Sequence, residues 1–279
     1  MPHVAAFSAS GSIRAITSKQ NAHVRSFRAL ARARKPSDTR ILIDGWHLLL
    51  EARRANLRIE RAAFTTDLLD TPDVSALAGE LAAAGTEVFA VGVPVMKAIS
   101  PVRTPSGVTA IAHHATTGLA RAFASAPQLV LLAVDIQDPG NLGAMVRAGE
   151  AAGATGLVAC GASADPLGWK ALRGSMGSAF RVPIARADLD AAMAAARAAG
   201  LQLLAAVPRI GQSLFDTDLR MPTALLLGSE GPGLPLGVLE EVDATVSIPM
   251  RPPVESLNVA VATALFFYEA LRQRTTGAP

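Results

Sequence analysis

A chain of 279 residues, half of them hydrophobic, can bury one large core or two modest ones. A net charge of +3 with a pI of about 9.5 points only weakly to nucleic acid, so the distribution of charge matters more than its sum. The single cysteine, Cys160, excludes a disulfide within the chain, and apolar stretches broken by Arg, Gly or Pro exclude a membrane-spanning helix. The N-terminus lacks the charged and apolar regions of a secretory leader, so a soluble cytoplasmic protein is expected. Cys160 closes the apolar run from Gly156 and reads as a small core residue rather than a nucleophile. His3, His23, His47, His113 and His114 lack metal-ligand spacing with Cys or acidic residues, so no metal site is expected.

Residues 1–12 are small and polar and should be frayed. A helix is expected from Asn21 to Ala33, with Arg25, Arg28 and Arg32 at i, i+3 and i+7 on one face. Arg34 and Lys35 follow, and Arg14, Lys19 and Arg40 add to a charge opposed only by Asp38. Such a one-signed run suits a solvated face and a phosphate-contacting surface equally. Strands are expected at 41–43, 57–65, 87–93 and 106–112, with helices at 46–55, 74–84 and 95–99 between them. This alternation over residues 13–113 describes a small α/β sandwich. Trp46 and His47 can stack on bases, although core packing is the commoner role for a Trp. Residues 114–127, with Thr116, Thr117, Gly118, Ser125 and Pro127, read as a linker.

From residue 128 to 279 strands and helices alternate again, which implies a mostly parallel sheet covered on both faces. Leu129–Asp135 reads as a buried strand, followed by the turn Asp138-Pro139-Gly140 and a helix capped by Asn141. On that helix the Cβ tilt leans Arg147 back toward the cap, and Gly143, one turn earlier, leaves a groove for the guanidinium. Further strands are expected at 156–160, 182–184 and 201–206, and helices at 168–174 and 189–199. The strand Ala224–Leu227 then runs into Gly228-Ser229-Glu230-Gly231-Pro232-Gly233, whose glycines permit positive φ and close backbone approach. A strand from Thr245 ends at Ile248-Pro249-Met250, and Ser256 or Asn258 opens the apolar helix 259–271. Two strand exits thus lie close in sequence, one of them feeding a helix N-terminus, and open α/β sheets bind ligands at such exits. Gly140-Asn141-Leu142-Gly143 is not the dinucleotide fingerprint G-x-G-x-x-G, which gives a Rossmann enzyme little weight.

The run Pro139 to Ala148, the loop Gly228 to Gly233, and Ile248-Pro249-Met250 with Ser256-Leu257-Asn258-Val259-Ala260 resemble, in order, three motifs of the SpoU (TrmH-like) RNA ribose methyltransferases. The resemblance implies a SPOUT fold, in which the C-terminal segment threads a deep trefoil knot that holds S-adenosylmethionine and pairs two copies into a homodimer. It implies cofactor contacts from Gly228, Gly231, Ile248, Met250 and Leu257, and a methyl-transfer site lined by Ser256 and Asn258. Arg147 is then implicated in activating the target 2′-hydroxyl, by being tuned, by help from a phosphate, or by orienting and stabilising charge, since an ordinary guanidinium is a poor base. Glu230 can hold Arg147 or Asn141 in place. Lys170 to Gly177 resembles a further segment of the family, in which Lys170, Arg173 and Ser175 contact RNA phosphates or simply end a surface helix. The first half is similar to the ribosomal-protein-like substrate-binding domain of many SpoU proteins, through Ile16-Thr17-Ser18, Asn21, Ile43-Asp44-Gly45 and Ser106-Gly107-Val108. That domain favours ribosomal RNA, of the large subunit, over tRNA. The alternatives are a tRNA 2′-O-methyltransferase and a non-catalytic RNA-binding or ribosome-assembly protein that keeps the fold.

Overall fold

The computed structural model describes residues 13–126 and 128–276, so the segment expected to fray and Pro127 lie outside the described residues. The chain divides into two units, the first ending at Ala115 and the second beginning at Thr116.

The first unit runs β1 (Arg14–Ile16), α1 (Ala22–Arg32), β2 (Arg40–Asp44), α2 (Trp46–Arg54), β3 (Arg58–Thr65), α3 (Thr66–Leu69), α4 (Pro72–Ala83), β4 (Glu87–Val91), α5 (Val93–Ile99) and β5 (Val108–His113). Its sheet has the order β1-β4-β3-β5-β2, with β5 antiparallel to both neighbours and the other pairings parallel. Both β1, at three residues, and α3, at four, are too short for a hydrophobic period to announce them. Asn21 caps α1 by accepting from the His23 amide at 2.8 Å. Val24, Phe27 and Leu30 bury one side of α1, while Arg25, Arg28 and Arg32 stay exposed on the other. Arg34 and Arg40 do not join that exposed row. Arg34 Nε donates to the Arg40 carbonyl at 3.0 Å, and Arg40 grips the Asp38 carboxylate at 3.1 and 2.8 Å, which fastens the turn after α1. The Arg40 guanidinium holds the Asp38 carboxyl at about 2. Trp46 is half-buried at the start of α2, and His47 is exposed.

The second unit runs α6 (Leu119–Ala122), β6 (Leu129–Val134), α7 (Pro139–Ala151), β7 (Gly156–Cys160), α8 (Trp169–Ser175), β8 (Ile184–Ala187), α9 (Leu189–Ala198), β9 (Gln202–Ala206), β10 (Gln212–Ser213), β11 (Thr223–Leu227), α10 (Leu236–Glu241), β12 (Ala244–Ser247) and α11 (Val259–Thr276). All pairings in its sheet are parallel, in the order β10-β12-β9-β11-β6-β7-β8. Every residue of β6, β7 and β11 is buried, which is why these strands read as unbroken apolar runs. Cys160 is among them, and burial pushes its thiol up to about 12, as suits a core residue. The stretch expected to be a linker contains α6, whose Ala122, with the adjoining Phe123, is buried in the second core. Thr117 also donates to the Ile184 carbonyl at 2.7 Å. Among the described residues no helix is long and apolar enough to cross a membrane, and no group of His, Cys, Asp or Glu gathers to hold a metal ion.

Candidate active site

The helix α7 begins three residues earlier than its sequence suggests. Asp138, not Asn141, is the cap, and its Oδ1 accepts from the Asn141 amide at 2.7 Å. Pro139 at the first helical position has no N–H to satisfy, so Asp-Pro makes a natural start. That arrangement frees the Asn141 side chain for other work. Gly143 does not leave a groove for Arg147. A Cβ there would collide with the Ala171 carbonyl and come within 2.9 Å of the Ser175 amide, so the backbone of α8 occupies that space. Arg147 is exposed, one turn beyond Gly143.

Asn258 settles the start of α11. Its Oδ1 accepts from the amides of Ala260 at 3.0 Å and Val261 at 3.3 Å, whereas Ser256 stays exposed in the preceding loop. With its oxygen committed to the cap, Asn258 turns its Nδ2 outward. That nitrogen donates to Asn141 Oδ1 at 3.1 Å and to Glu230 Oε1 at 2.8 Å. Asn141 Nδ2 donates to the same Glu230 oxygen at 3.0 Å, and the Val259 amide lies 3.5 Å from it. One carboxylate oxygen therefore ties together the first turn of α7, the loop after β11 and the cap of α11, segments up to 117 residues apart. Glu230 holds Asn141, not Arg147.

Beside this cluster lies a cavity of about 460 Å³. Gly228, Gly231, Ile248, Met250, Ser256 and Leu257 line it together with Glu230 and Asn258. Its inner wall is apolar, from Leu227, Val259, Ala262 and Phe266. A side chain at Gly228 would strike the Gly233 backbone and sit 2.6 Å from the Leu234 amide, so the loop can close only over a glycine. Gly231 and Gly233 take φ of +99° and +70°. A cavity of this size, with apolar walls and backbone polar groups along one rim, suits an adenosyl group whose ring needs burial and whose edges need hydrogen bonds.

Ala206, Val207 and Pro208 complete the wall and were not foreseen. They lie at and just after the end of β9, and only the sheet order, with β9 beside β11, brings them there. Asp138 was missed as well, although the Asp-Pro pair carried the signal. Of the expected phosphate contacts on α8, Lys170 is exposed with its Nζ 5.5 Å from the Trp169 ring centroid, and Arg173 is exposed. Ser175 is fully buried and donates to the Leu172 carbonyl at 2.9 Å, which removes it from any RNA surface. Arg25, Arg28 and Arg32 belong to the first unit.

The model of the SpoU rRNA methylase family matches residues 128–268 of this chain. The chain belongs to that family. A second model, the MRM3-like substrate-binding domain, matches residues 21–110 of this SpoU protein. An uncharacterized tRNA/rRNA methyltransferase of Synechocystis sp. is 34% identical over 267 residues, covering 94% of this chain and 95% of the relative. The 23S rRNA (guanosine(2553)-2′-O)-methyltransferase RlmP of Bacillus subtilis is 30% identical over 91% of this chain and 97% of its own length. Among solved structures, an AdoMet-bound rRNA methyltransferase from Sinorhizobium meliloti superposes with a TM-score of 0.82 at 30% identity, over 93% of this chain and 98% of the other. The SpoU methyltransferase AviRb from Streptomyces viridochromogenes, in complex with AdoMet, gives 0.82 at 29% identity over 93% and 100%. The fold is accordingly the α/β SPOUT methyltransferase domain preceded by a smaller α/β unit, and this SpoU protein is an S-adenosylmethionine-dependent RNA 2′-O-methyltransferase.

Proposed function

We propose that this enzyme methylates a ribose 2′-hydroxyl of ribosomal RNA of the large subunit, in the cytoplasm, as a homodimer paired through the second unit. The observation that carries the assignment of its residues is the Asn141–Glu230–Asn258 cluster at the edge of the cavity lined by Gly228, Ile248 and Leu257. The cavity takes the adenosyl part of S-adenosylmethionine, with Gly228, Gly231, Ile248, Met250 and Leu257 as its contacts. When bound, that cofactor supplies a methyl group already activated on a sulfonium.

What remains for the protein is to position the hydroxyl and help its proton leave. Asn141 and Asn258, locked by Glu230, give the site fixed amide groups that need no reorganisation during the reaction. Arg147, exposed on α7 beyond Asn141 and Gly143, orients the hydroxyl and stabilises the charge that develops on its oxygen. A guanidinium keeps its proton at neutral pH, which favours this role over that of a base. Ser256 stands in the loop before the cap, at the mouth of the cavity. The exposed row Arg25, Arg28 and Arg32, with Lys170 and Arg173, takes RNA phosphates.

Ribosomal RNA is supported by the name of the Bacillus subtilis relative, which specifies 23S rRNA. The Synechocystis name leaves tRNA as the second reading. Pairing is supported by α11, which buries Phe266, Phe267 and Ala270 yet leaves Val261, Leu265 and Tyr268 43–51% exposed at i, i+4 and i+7. Mapping 2′-O-methyl positions in total RNA with and without the gene tests the substrate. Loss of a 23S rRNA mark supports the proposal, and loss of a tRNA mark replaces it with the second reading.

A further inference from the structure

Of the residues that line the cavity, Glu230 alone carries a charge. Its Oε1 is held by Asn141 Nδ2, Asn258 Nδ2 and, at 3.5 Å, the Val259 amide. Its Oε2 takes no hydrogen bond among the described residues, so the carboxylate is fixed by one oxygen and presents the other. The amides that fix it are themselves fixed, since the Asn258 oxygen is bound into the α11 cap. The charge therefore has one position, at the junction between the cavity and the cluster where the hydroxyl is brought.

We infer that Glu230 is a specificity residue that distinguishes the methyl donor from its spent form by charge. During transfer the C–S bond breaks, its electron pair stays on sulfur, an O–C bond forms to the ribose, and the hydroxyl proton leaves to solvent. The cofactor thereby changes from a sulfonium of net charge +1 to a neutral thioether of net charge zero, with the rest of its chemistry unaltered. A fixed carboxylate attracts the first and is indifferent to the second. Glu230 thus favours loading with S-adenosylmethionine and release of S-adenosylhomocysteine. This rests on the cavity being the cofactor site.

The test is calorimetric titration of the full-length protein with each compound separately, for wild type, Glu230→Gln and Asn141→Ala. Glu230→Gln keeps an acceptor oxygen for the two asparagines and removes the charge. It should weaken S-adenosylmethionine roughly three- to tenfold, as expected for a half-screened charge pair, and leave S-adenosylhomocysteine unchanged. Asn141→Ala keeps the carboxylate and should leave the ratio of the two affinities as in wild type. Equal weakening of both compounds by Glu230→Gln would reduce the carboxylate to scaffold and overturn the inference. Wild-type protein gives an independent reading, because added salt should weaken S-adenosylmethionine more steeply than S-adenosylhomocysteine. Identical salt slopes overturn the inference while leaving the cofactor site standing. Failure of wild type to bind either compound overturns the site itself.

Discussion

Arg147 and Asn141 sit on one helix, yet only Asn141 is held by Glu230. This separates two jobs that mutation should also separate. Arg147→Ala should lower methyl incorporation about a hundredfold or more, the usual cost of losing a charge-stabilising group, and leave the calorimetric cofactor Kd unchanged. Unaltered turnover would remove Arg147 from the reaction. A second residue-scale outcome concerns Asp38, whose carboxyl is held at about 2 chiefly by hydrogen bonds from Arg40. Its folded pKa lies below the unfolded value of about 3.9, so the pair stabilises the fold above that pH and loses its effect as pH falls toward 2. Arg40→Met should return Asp38 toward the ordinary carboxylate range in an NMR titration, and a carboxyl that stays low would point to another cause. At this scale Asn141, Glu230 and Asn258 were legible only through the resemblance of their motifs to the SpoU family, because alone an Asn reads as a helix cap and a loop Glu as a solvated charge. Their partners were not. Which of two caps starts α11, and whether Glu230 takes Asn or Arg, depends on segments distant in sequence that the strand order, with β6 beside β11, brings together.

Between elements, close backbone approach decides more than side-chain chemistry. The α7–α8 contact passes through Gly143, where a methyl group would meet the Ala171 carbonyl and the Ser175 amide. Gly143→Ala should cost about 1–3 kcal/mol by overpacking, which lowers Tm by roughly 2–12 °C in a thermal melt. At Gly228 the obstacle is likewise backbone, that of Gly233 and of buried Leu234. Gly228→Ala should therefore lower Tm as Gly143→Ala does and, unlike it, also raise the cofactor Kd about tenfold, or ~1.4 kcal/mol. A lowered Tm with normal binding would exclude Gly228 from the cofactor wall. Helix α1 offers a third outcome. Replacing Arg25, Arg28 and Arg32 together by Ala should flatten the salt dependence of RNA binding by about two to three logarithmic units of slope. An unchanged slope would place the RNA elsewhere. The arginine face of α1 was plain in the sequence, and the structure buries Val24, Phe27 and Leu30 on the opposite side. The closeness of α7 to α8 was not, because a glycine in a helix does not say which neighbour it admits.

Taken whole, the chain folds as two units, each with its own sheet, and the alternation of strands and helices forecast both. The order of strands was beyond periodicity. The wall residues Ala206 to Pro208 belong to the cavity only because β9 lies between β12 and β11. At this scale pairing of two copies is the expectation to test. Equilibrium sedimentation at micromolar concentration should give twice the chain mass, and Leu265→Lys, in the exposed row of α11, should shift it toward the single chain. A wild-type monomer would leave that row without the role proposed for it.

Helix α11 also has a place in time. It is the last described element, and Arg274 near its end donates to the carbonyls of Leu219 at 2.8 Å, Met221 at 2.8 Å and Gln128 at 3.1 Å. During translation all seven strands of the second sheet leave the ribosome before it does. Until it follows, Glu230 lacks its donors from Asn258 and Val259, and the cavity lacks Ala262 and Phe266. At a synthesis rate of about 5–20 residues per second, roughly 2–9 s separate the carboxylate from the helix that completes it. A nascent chain that has not yet released α11 therefore has neither the Asn141–Glu230–Asn258 cluster nor the complete cavity wall.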